Sequence, residues 1–260
     1  MVEVDPINKQ LIHKLSVIIT TYNEEDTIVQ CLESIKWADE IIIVDSYSSD
    51  RTLILSEPYK PTIINHSYKY AAHQKNKHIP QASHDWVFLL DADEVCTDSL
   101  RDEIKNTLIQ PLYDMYWIPR HNFFMGQKIK YSGWQSDKVI RLFHKDKARY
   151  EDKRVHEEII TQGYNVGKLK SSIKHYTFKN LPHFIAKINR YAEYKAMDLF
   201  EKKVKPNFYH FHIKPAFRFF RQYFLRGGFL DGNVGYIICR LSAYEQFLRY
   251  AKLYEKYLSK

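Results

Sequence analysis

The sequence predicts an α/β protein built on a doubly wound, mostly parallel sheet, with a helical, basic and aromatic C-terminal extension. Three observations predict it. Continuous apolar, β-branched runs recur through the first hundred residues, as in strands buried on both faces. Each is followed by a segment whose apolar residues recur at helical spacing, the pattern of strand–helix–strand units on a parallel sheet. The charge is also unevenly divided: residues 181–260 hold 15 Lys/Arg against 6 Asp/Glu, whereas residues 1–180 hold 24 against 25.

The elements follow in order. "LSVIIT" (Leu15–Thr20) reads as the first buried strand. "EEDTIVQCLESIKWA" reads as a helix with Ile28, Cys31, Leu32 and Ile35 on one face and acidic residues in its first turn, where the helix dipole favours them. "EIIIVDS" (Glu40–Ser46) is a second strand, followed by a short helix near Thr52–Leu55 and a strand at Thr62–Asn65. A helix around "AAHQKNKHI" and the strand "DWVFLLDAD" complete the parallel half, residues 1–110. Residues 111–180 carry shorter extended segments, "MYWIPRHNFF", "KVIRLFHK", "HEEIIT" and "SSIKHYTF", which predict a mixed, partly antiparallel continuation of the same sheet. Residues 181–260 form the extension, with helices at Pro182–Lys203, Pro215–Leu225 and Val234–Leu258 and a break at "RGGFLDGN".

Composition excludes several classes. The chain has 260 residues, enough for one large domain or a domain with an appendage. It has no apolar run of about 20 residues and so no expected transmembrane helix. The N-terminus "MVEVDPINKQ" lacks the apolar core of a signal peptide. Cys31, Cys96 and Cys239 are too far apart for a metal-ligand spacing and odd in number for a disulfide framework. They suit a reduced, cytoplasmic setting. No repeat is visible, and no G-x-G-x-x-G or G-x-x-x-x-G-K-[ST] follows a strand, which removes the main support for dinucleotide or P-loop binding.

Ligands of open α/β sheets bind beyond the carboxyl ends of the strands. There the chain places Thr21, Tyr22 and Asn23, then Asp45, Ser46, Ser48 and Asp50, then Asp91, Asp93 and Glu94. The stretch "WVFLLDADEV" ends a buried strand on three carboxylates, so a cation is expected beside them unless they are a solvated strand end. Mg²⁺ or Mn²⁺ suits this pattern, because such hard ions take one or two carboxylates together with a substrate's phosphates.

"LSVIITTYNEEDTIVQCLESIKWADEIIIVDSYSSDRT" and "WVFLLDADE" resemble the nucleotide-sugar domain of family-2 glycosyltransferases. The longer pattern through "IPRHNFFMGQKIKYSGWQSDKVIRLFHKDKARYEDKRVHEEI" and "GFLDGNVGYIICRLSAYEQFLRYAKLYE" is similar to the branch containing bacterial lipopolysaccharide-core β-1,4-glucosyltransferases. The resemblance covers roughly residues 14–255 and implies a GT-A fold and an inverting, metal-dependent hexosyl transfer from a UDP-sugar. Carried over residue by residue, it implies that Thr20, Tyr22 and Glu24 border the nucleobase and ribose and that Asp45 hydrogen-bonds the uracil or ribose. Lys75 would lie near the nucleotide, and Asp91 and Asp93 would contact the ribose and the metal. One departure is His73, where the family commonly has a small residue or glycine before the basic position.

Inverting transfer needs a group to take the acceptor's proton. "RVHEEI" matches the family's downstream acidic motif, so Glu157 is the expected base, with His156 as a further metal ligand or acceptor-orienting group. Asp137 in "GWQSDKVIRLF" is the reserve base, or else an ion-pair partner of Arg141 four residues on. Trp134 is either a sugar-stacking or a core residue, and Arg141 and His144 are candidates for phosphate contact.

In "YHFHIKPAFRFFRQYFLRGGF" arginines alternate with phenylalanines and tyrosines. This suits either packing of a helix on the body or an anionic membrane surface next to a lipid-anchored glycan acceptor, on the inner face of the inner membrane. The apolar stripe of "YIICRLSAYEQFLRYAKLY" also suits a homodimer. No recognition motif supports nucleic-acid binding, and acid-lined strand ends repel its phosphates. The alternatives to a glycosyltransferase are a nucleotidyltransferase, which would need a glycine-rich basic loop where "TTYNEED" stands, and an inactive membrane-associated binding protein.

Overall fold

A computed structural model describes residues 13–152, 158–178 and 180–259. β1 (Leu15–Thr21), β2 (Glu40–Asp45), β3 (Thr62–Asn65) and β4 (Trp86–Asp91) lie parallel in the order β3-β2-β1-β4. Past β4 the sheet becomes mixed. β8 (Lys138–His144) runs antiparallel to both β4 and β6 (Met115–Phe124). β10 (Ile173–Phe178) runs parallel to β6, and the short β5 (Glu94–Cys96) pairs antiparallel with β10. β7 (Gln127–Lys128) and β9 (Val166–Lys168) also pair with β6. The predicted parallel half with a mixed continuation is the observed arrangement.

The continuous apolar runs are explained by burial on both faces. Leu15, Val17 and Ile19 of β1 pack with Phe88 and Leu90 of β4 under α1 (Ile28–Ile35) and α4 (Asp98–Thr107). Ile18 packs on the opposite side with Ile42, Val44, Val87 and Leu89, against Ala72 of α3 (Ala71–His78). The short α2 (Thr52–Ser56) follows β2. Helix α1 begins later than its acidic residues suggest. Glu24, Glu25 and Asp26 form the turn before it, and its first turn carries no acid. The loop after β2 holds that turn in place: Ser48 accepts from the Asn23 amide, Thr52 from Glu24 and Asp50 from Glu25.

The extension is helical as predicted. α5 (Leu181–Glu201) and α7 (Gly232–Leu258) pack together, and paired charges lock them: Glu245 takes Lys195 at 3.2 Å and Arg249 at 2.9 Å, and Glu193 takes Lys252 at 3.1 Å. Between them a helical rod runs from Tyr209 to Leu225, with α6 (Lys214–Phe220) at its centre and a wider π-helical turn at each end. The "RGGFLDGN" break makes a tight crossing. A Cβ at Gly235 would stand 2.0 Å from the Gly228 carbonyl oxygen, so only glycine lets α7 start there. Asp231 in the same break accepts from the Lys130 and Tyr131 amides and from the Ser132 hydroxyl, tying the extension to the loop before β8.

Gly235→Ala is therefore expected to cost about 2 kcal/mol through overpacking. That corresponds to a fall in Tm of roughly 4–8 °C by circular dichroism for a chain of this size.

Candidate active site

A cavity of about 970 Å³ opens beyond the carboxyl ends of the parallel strands. One wall is built by the loops after β1, β2 and β3 and by α3, and it carries Thr20, Tyr22, Ser46, Tyr47, Tyr68 and Lys75. The other is built by β6, β8, β10 and α5, and it carries Trp117, Arg120, Asp137, Arg141, His175 and Lys187. Asp91 and Asp93 form the floor between them.

The carboxylates at the end of β4 are neutralised largely by the protein itself. Glu94 is fully buried, and its Oε1 accepts from Arg120 at 3.1 Å and from Arg141 at 3.0 Å, while Oε2 accepts from the Asp91 amide. Arg141 also donates to Asp91 Oδ2 at 2.5 Å, and Asp91 Oδ1 accepts from Thr20 and lies 3.7 Å from Lys75 Nζ. Arg120 donates from Nε and Nη2 to the two oxygens of Asp137, which also accepts from Asn122. His175 Nδ1 lies 2.6 Å from Asn122 Oδ1, and its Nε2 lies 3.4 Å from Asp93 Oδ2. Acid and base thus alternate from Lys75 to Asp137, and the Asn122 amide links Asp137 to the His175 that faces Asp93.

Burial opposes ionisation of Asp91, but the Arg141 and Lys75 charges hold its carboxyl well below the usual carboxylate range. Burial likewise opposes ionisation of Asp137, and Arg120 and Asn122 outweigh it. For Asp93 the interactions that outweigh burial come from His175 and Lys187. Asp93 Oδ1 differs from the other oxygens of the network, because it is buried and takes no hydrogen bond from any described residue. An unpaired buried anionic oxygen is costly, and its chemistry fits a divalent cation. Among the described residues no three His, Cys, Asp or Glu side chains converge on a metal position. A cation here would therefore complete its shell from a ligand's phosphates and water, which is typical of Mg²⁺ sites.

The structure brings Thr20, Tyr22, Glu24, Lys75, Asp91, Asp93 and Asp137 to one cavity. Lys75 is buried and also faces the Tyr150 ring at 5.1 Å. His73 stacks on His66 instead, so its bulk does not displace Lys75. Asp45 is fully buried behind the wall, where its carboxylate accepts from the Ser48 amide and hydroxyl. Glu157 and His156 lie outside the described residues, and Glu158 and Ile159 just after them line the cavity.

Two expectations are corrected. Asp137 pairs with Arg120, because Arg141 is already held by Asp91 and Glu94. His144 pairs in register with Trp86 at the start of β4, about 16 Å along the strand from Asp91 at ~3.3 Å per residue, too far for phosphate contact. Of the two readings of Trp134 the core one holds, since it packs against Phe124, Phe178 and Phe184. Sequence reasoning did not find Arg120, His175, Tyr47, Tyr68, Lys187 or Arg190. The spacing of Lys187 and Arg190 opposite Phe184, Ile188 and Ala192 was the available signal.

The fold is of the GT-A glycosyltransferase type. Residues 16–177 match the sequence model of glycosyl transferase family 2, and the chain belongs to that family. It is 31% identical over 254 residues to the lipopolysaccharide core biosynthesis glycosyltransferase LpsC of Rhizobium meliloti, a match that covers 95% of this chain and 94% of LpsC. It is 27% identical to an uncharacterized glycosyltransferase of Rickettsia bellii, covering 96% of this chain and 89% of that one. Among solved structures it is similar in fold to the mannosyltransferase PcManGT of Pyrobaculum calidifontis, solved with GDP-Man and Mn²⁺. The TM-score is 0.55 and the identity 14%, over 93% of this chain and 87% of that one.

The depressed Asp137 carboxyl adds stability that is fully present above its unfolded value of about 3.9 and is lost as pH falls through its lower folded value. Urea unfolding should therefore show stability nearly constant from pH 7 to about 5 and falling below about 4, with a shallower acid fall in Asp137→Asn.

Proposed function

We propose that the protein transfers a hexose, glucose or a similar sugar, from a UDP-sugar to a lipopolysaccharide-core or other surface-glycan acceptor, with inversion and with Mg²⁺ or Mn²⁺ bound. The acceptor is a lipid-anchored glycan at the cytoplasmic face of the inner membrane, where the protein acts peripherally. The name of the Rhizobium meliloti relative supports the acceptor class.

The observation that carries the proposal is the unpaired Asp93 Oδ1 on the cavity floor, beside carboxylates that are otherwise ion-paired. Asp93 would hold the metal. Asp91 would orient the ribose while committed to Arg141 and Lys75. A divalent cation supplies positive charge for the diphosphate leaving group. Thr20, Tyr22 and Glu24 border the base and ribose, joined by the exposed rings of Tyr47 and Tyr68. Asp45 positions the loop that presents Ser46 and Tyr47, through its hold on Ser48.

Lys187 and Arg190 line the cavity from α5 in no direct ion pair with a described acid, Lys187 acting on Asp93 at longer range, whereas Lys195, Lys252 and Lys256 are paired. Their role is to face the anionic groups of donor or acceptor.

The base must hold a proton near working pH. Asp137 is too well stabilised as an anion to do so efficiently. Glu157 is the proposed base, next to cavity-lining Glu158, with His156 orienting the acceptor or adding a metal ligand.

Two measurements test this. Isothermal titration should show UDP binding at least about tenfold tighter with Mn²⁺ than without. Asp93→Ala should lose that gain, and equal binding with and without metal in the wild type would refute the metal site. Glu157→Gln should lower kcat by roughly 10²- to 10⁴-fold while leaving UDP affinity unchanged, and retention of kcat would shift the base elsewhere.

A further inference from the structure

The rod from Tyr209 to Leu225 packs on the body through only one side. Phe219 and Tyr223 meet Tyr236 of α7 at 5.9 and 5.8 Å, Phe211 meets Phe247, and Gln222 is buried, donating to the Ser132 carbonyl. A second aromatic stripe faces outward. Tyr209, Ile213, Phe217, Phe220 and Phe224 recur at intervals of four, four, three and four residues, the spacing of one helical face. All five are exposed, Phe217 at 57% and Phe224 at 52%, and the break continues the ridge with Leu225 at 66%, Phe229 and Leu230. Aromatic packing on the body therefore accounts for half of the aromatic pattern and leaves the other half bare. A contiguous apolar ridge of this kind marks an interaction surface.

Three features choose its partner. Arg218, Arg221 and Arg226 are exposed among these rings, and the segment 181–260 that contains them carries the chain's excess positive charge. Apolar side chains interleaved with arginines match an anionic bilayer, whose headgroups meet the cations while the rings enter the acyl boundary. The ridge is also bonded to the loop that enters the cavity. Asp231 holds the amides of Lys130 and Tyr131, Gln222 donates to Ser132, and Gln135 reaches the Arg226 carbonyl at 3.5 Å. The same loop continues directly into Ser136, Asp137 and Lys138 on the cavity wall. No described helix is long and apolar enough to cross a membrane, and the ridge offers an interfacial docking surface instead.

We infer that the ridge formed by Ile213, Phe217, Phe220, Phe224, Leu225 and Phe229, rimmed by Arg221 and Arg226, docks on an anionic lipid surface and holds the acceptor wall of the cavity beside the bilayer. This deepens the reading of a lipid-anchored acceptor and rests on it for its purpose, but not for its test.

Flotation with vesicles of phosphatidylcholine alone, and with about one-third phosphatidylglycerol, needs no sugar donor and so is independent of the UDP titration. The protein should float with the anionic vesicles. The combined variant Phe217→Ser, Phe220→Ser, Phe224→Ser should lose at least about tenfold in partitioning. Arg221→Glu with Arg226→Glu should lose roughly 30-fold on anionic vesicles and little on neutral ones. Because the altered side chains are exposed, Tm by circular dichroism should stay within about 2 °C of wild type, and the arginine variant tests the docking even if the phenylalanine variant unfolds. Absence of vesicle binding, equal binding to both vesicle types, or unchanged binding of the phenylalanine variant would overturn the inference. So would a wild-type dimer in analytical ultracentrifugation that the phenylalanine variant dissolves, since the ridge would then be covered by a second copy.

Discussion

The candidate site depends on one buried carboxylate shared by two arginines. Glu94 has no exposed side-chain surface, and both Arg120 and Arg141 donate to its Oε1. Removing water from an ion is expensive, so a buried charge is stable only when its partners are well placed. Glu94 supplies that placement for both guanidinium groups. Arg141 holds Asp91 with the same Nη2 that meets Glu94, and Arg120 holds Asp137 with two parallel bonds. The anionic cluster at the end of β4 is thus stabilised by cations from β6 and β8, the strands that begin the cavity's second wall. Floor and second wall are joined by ion pairs as well as by strand pairing.

One consequence is that, among the described residues, only one carboxylate oxygen of this cluster is left over. Thr20, Lys75 and Arg141 occupy Asp91, and Arg120 and Asn122 occupy Asp137. Asp93 keeps Oδ1 without a hydrogen bond from any described residue, and burying it so is costly. The proposed metal would offset that cost, in a cluster whose other carboxylates are already neutralised by the protein. Lys187 and Arg190, in no direct ion pair with a described acid, give the cavity a positive far wall.

The extension is integral to this arrangement. α5 carries the far wall, α7 clamps α5 through Glu193 and Glu245, and the glycine crossing at Gly228 and Gly235 lets the rod and α7 meet closely enough for Asp231 to grip the loop before β8. The basic, aromatic composition of residues 181–260 therefore serves three surfaces: the cavity, the body and the outward ridge.

The parallel half was legible in the sequence because its signals are local. A strand buried on both faces must be a continuous apolar run, and its end must turn polar where it meets the cavity, so β1, β2, β3 and β4 and the placing of Asp91 and Asp93 on the edge followed from residue order alone. The start of α1 was misjudged, because the acids before Ile28 bond to the loop after β2 instead of the helix dipole, a contact no local pattern reports. The family, too, was readable from motifs. The partners of the carboxylates were not: Arg120 meets Glu94 across 26 residues and Arg141 meets Asp91 across 50, through the antiparallel return of β8 that brings both to the end of β4. The outward direction of Phe217, Phe220 and Phe224 was equally hidden, since a helix with aromatic residues on two sides does not say which one the body will cover. Periodicity determined which segments are strands and helices. Which charges neutralise one another, and which apolar face stays bare, was decided only by tertiary packing, because both depend on neighbours brought from distant sequence.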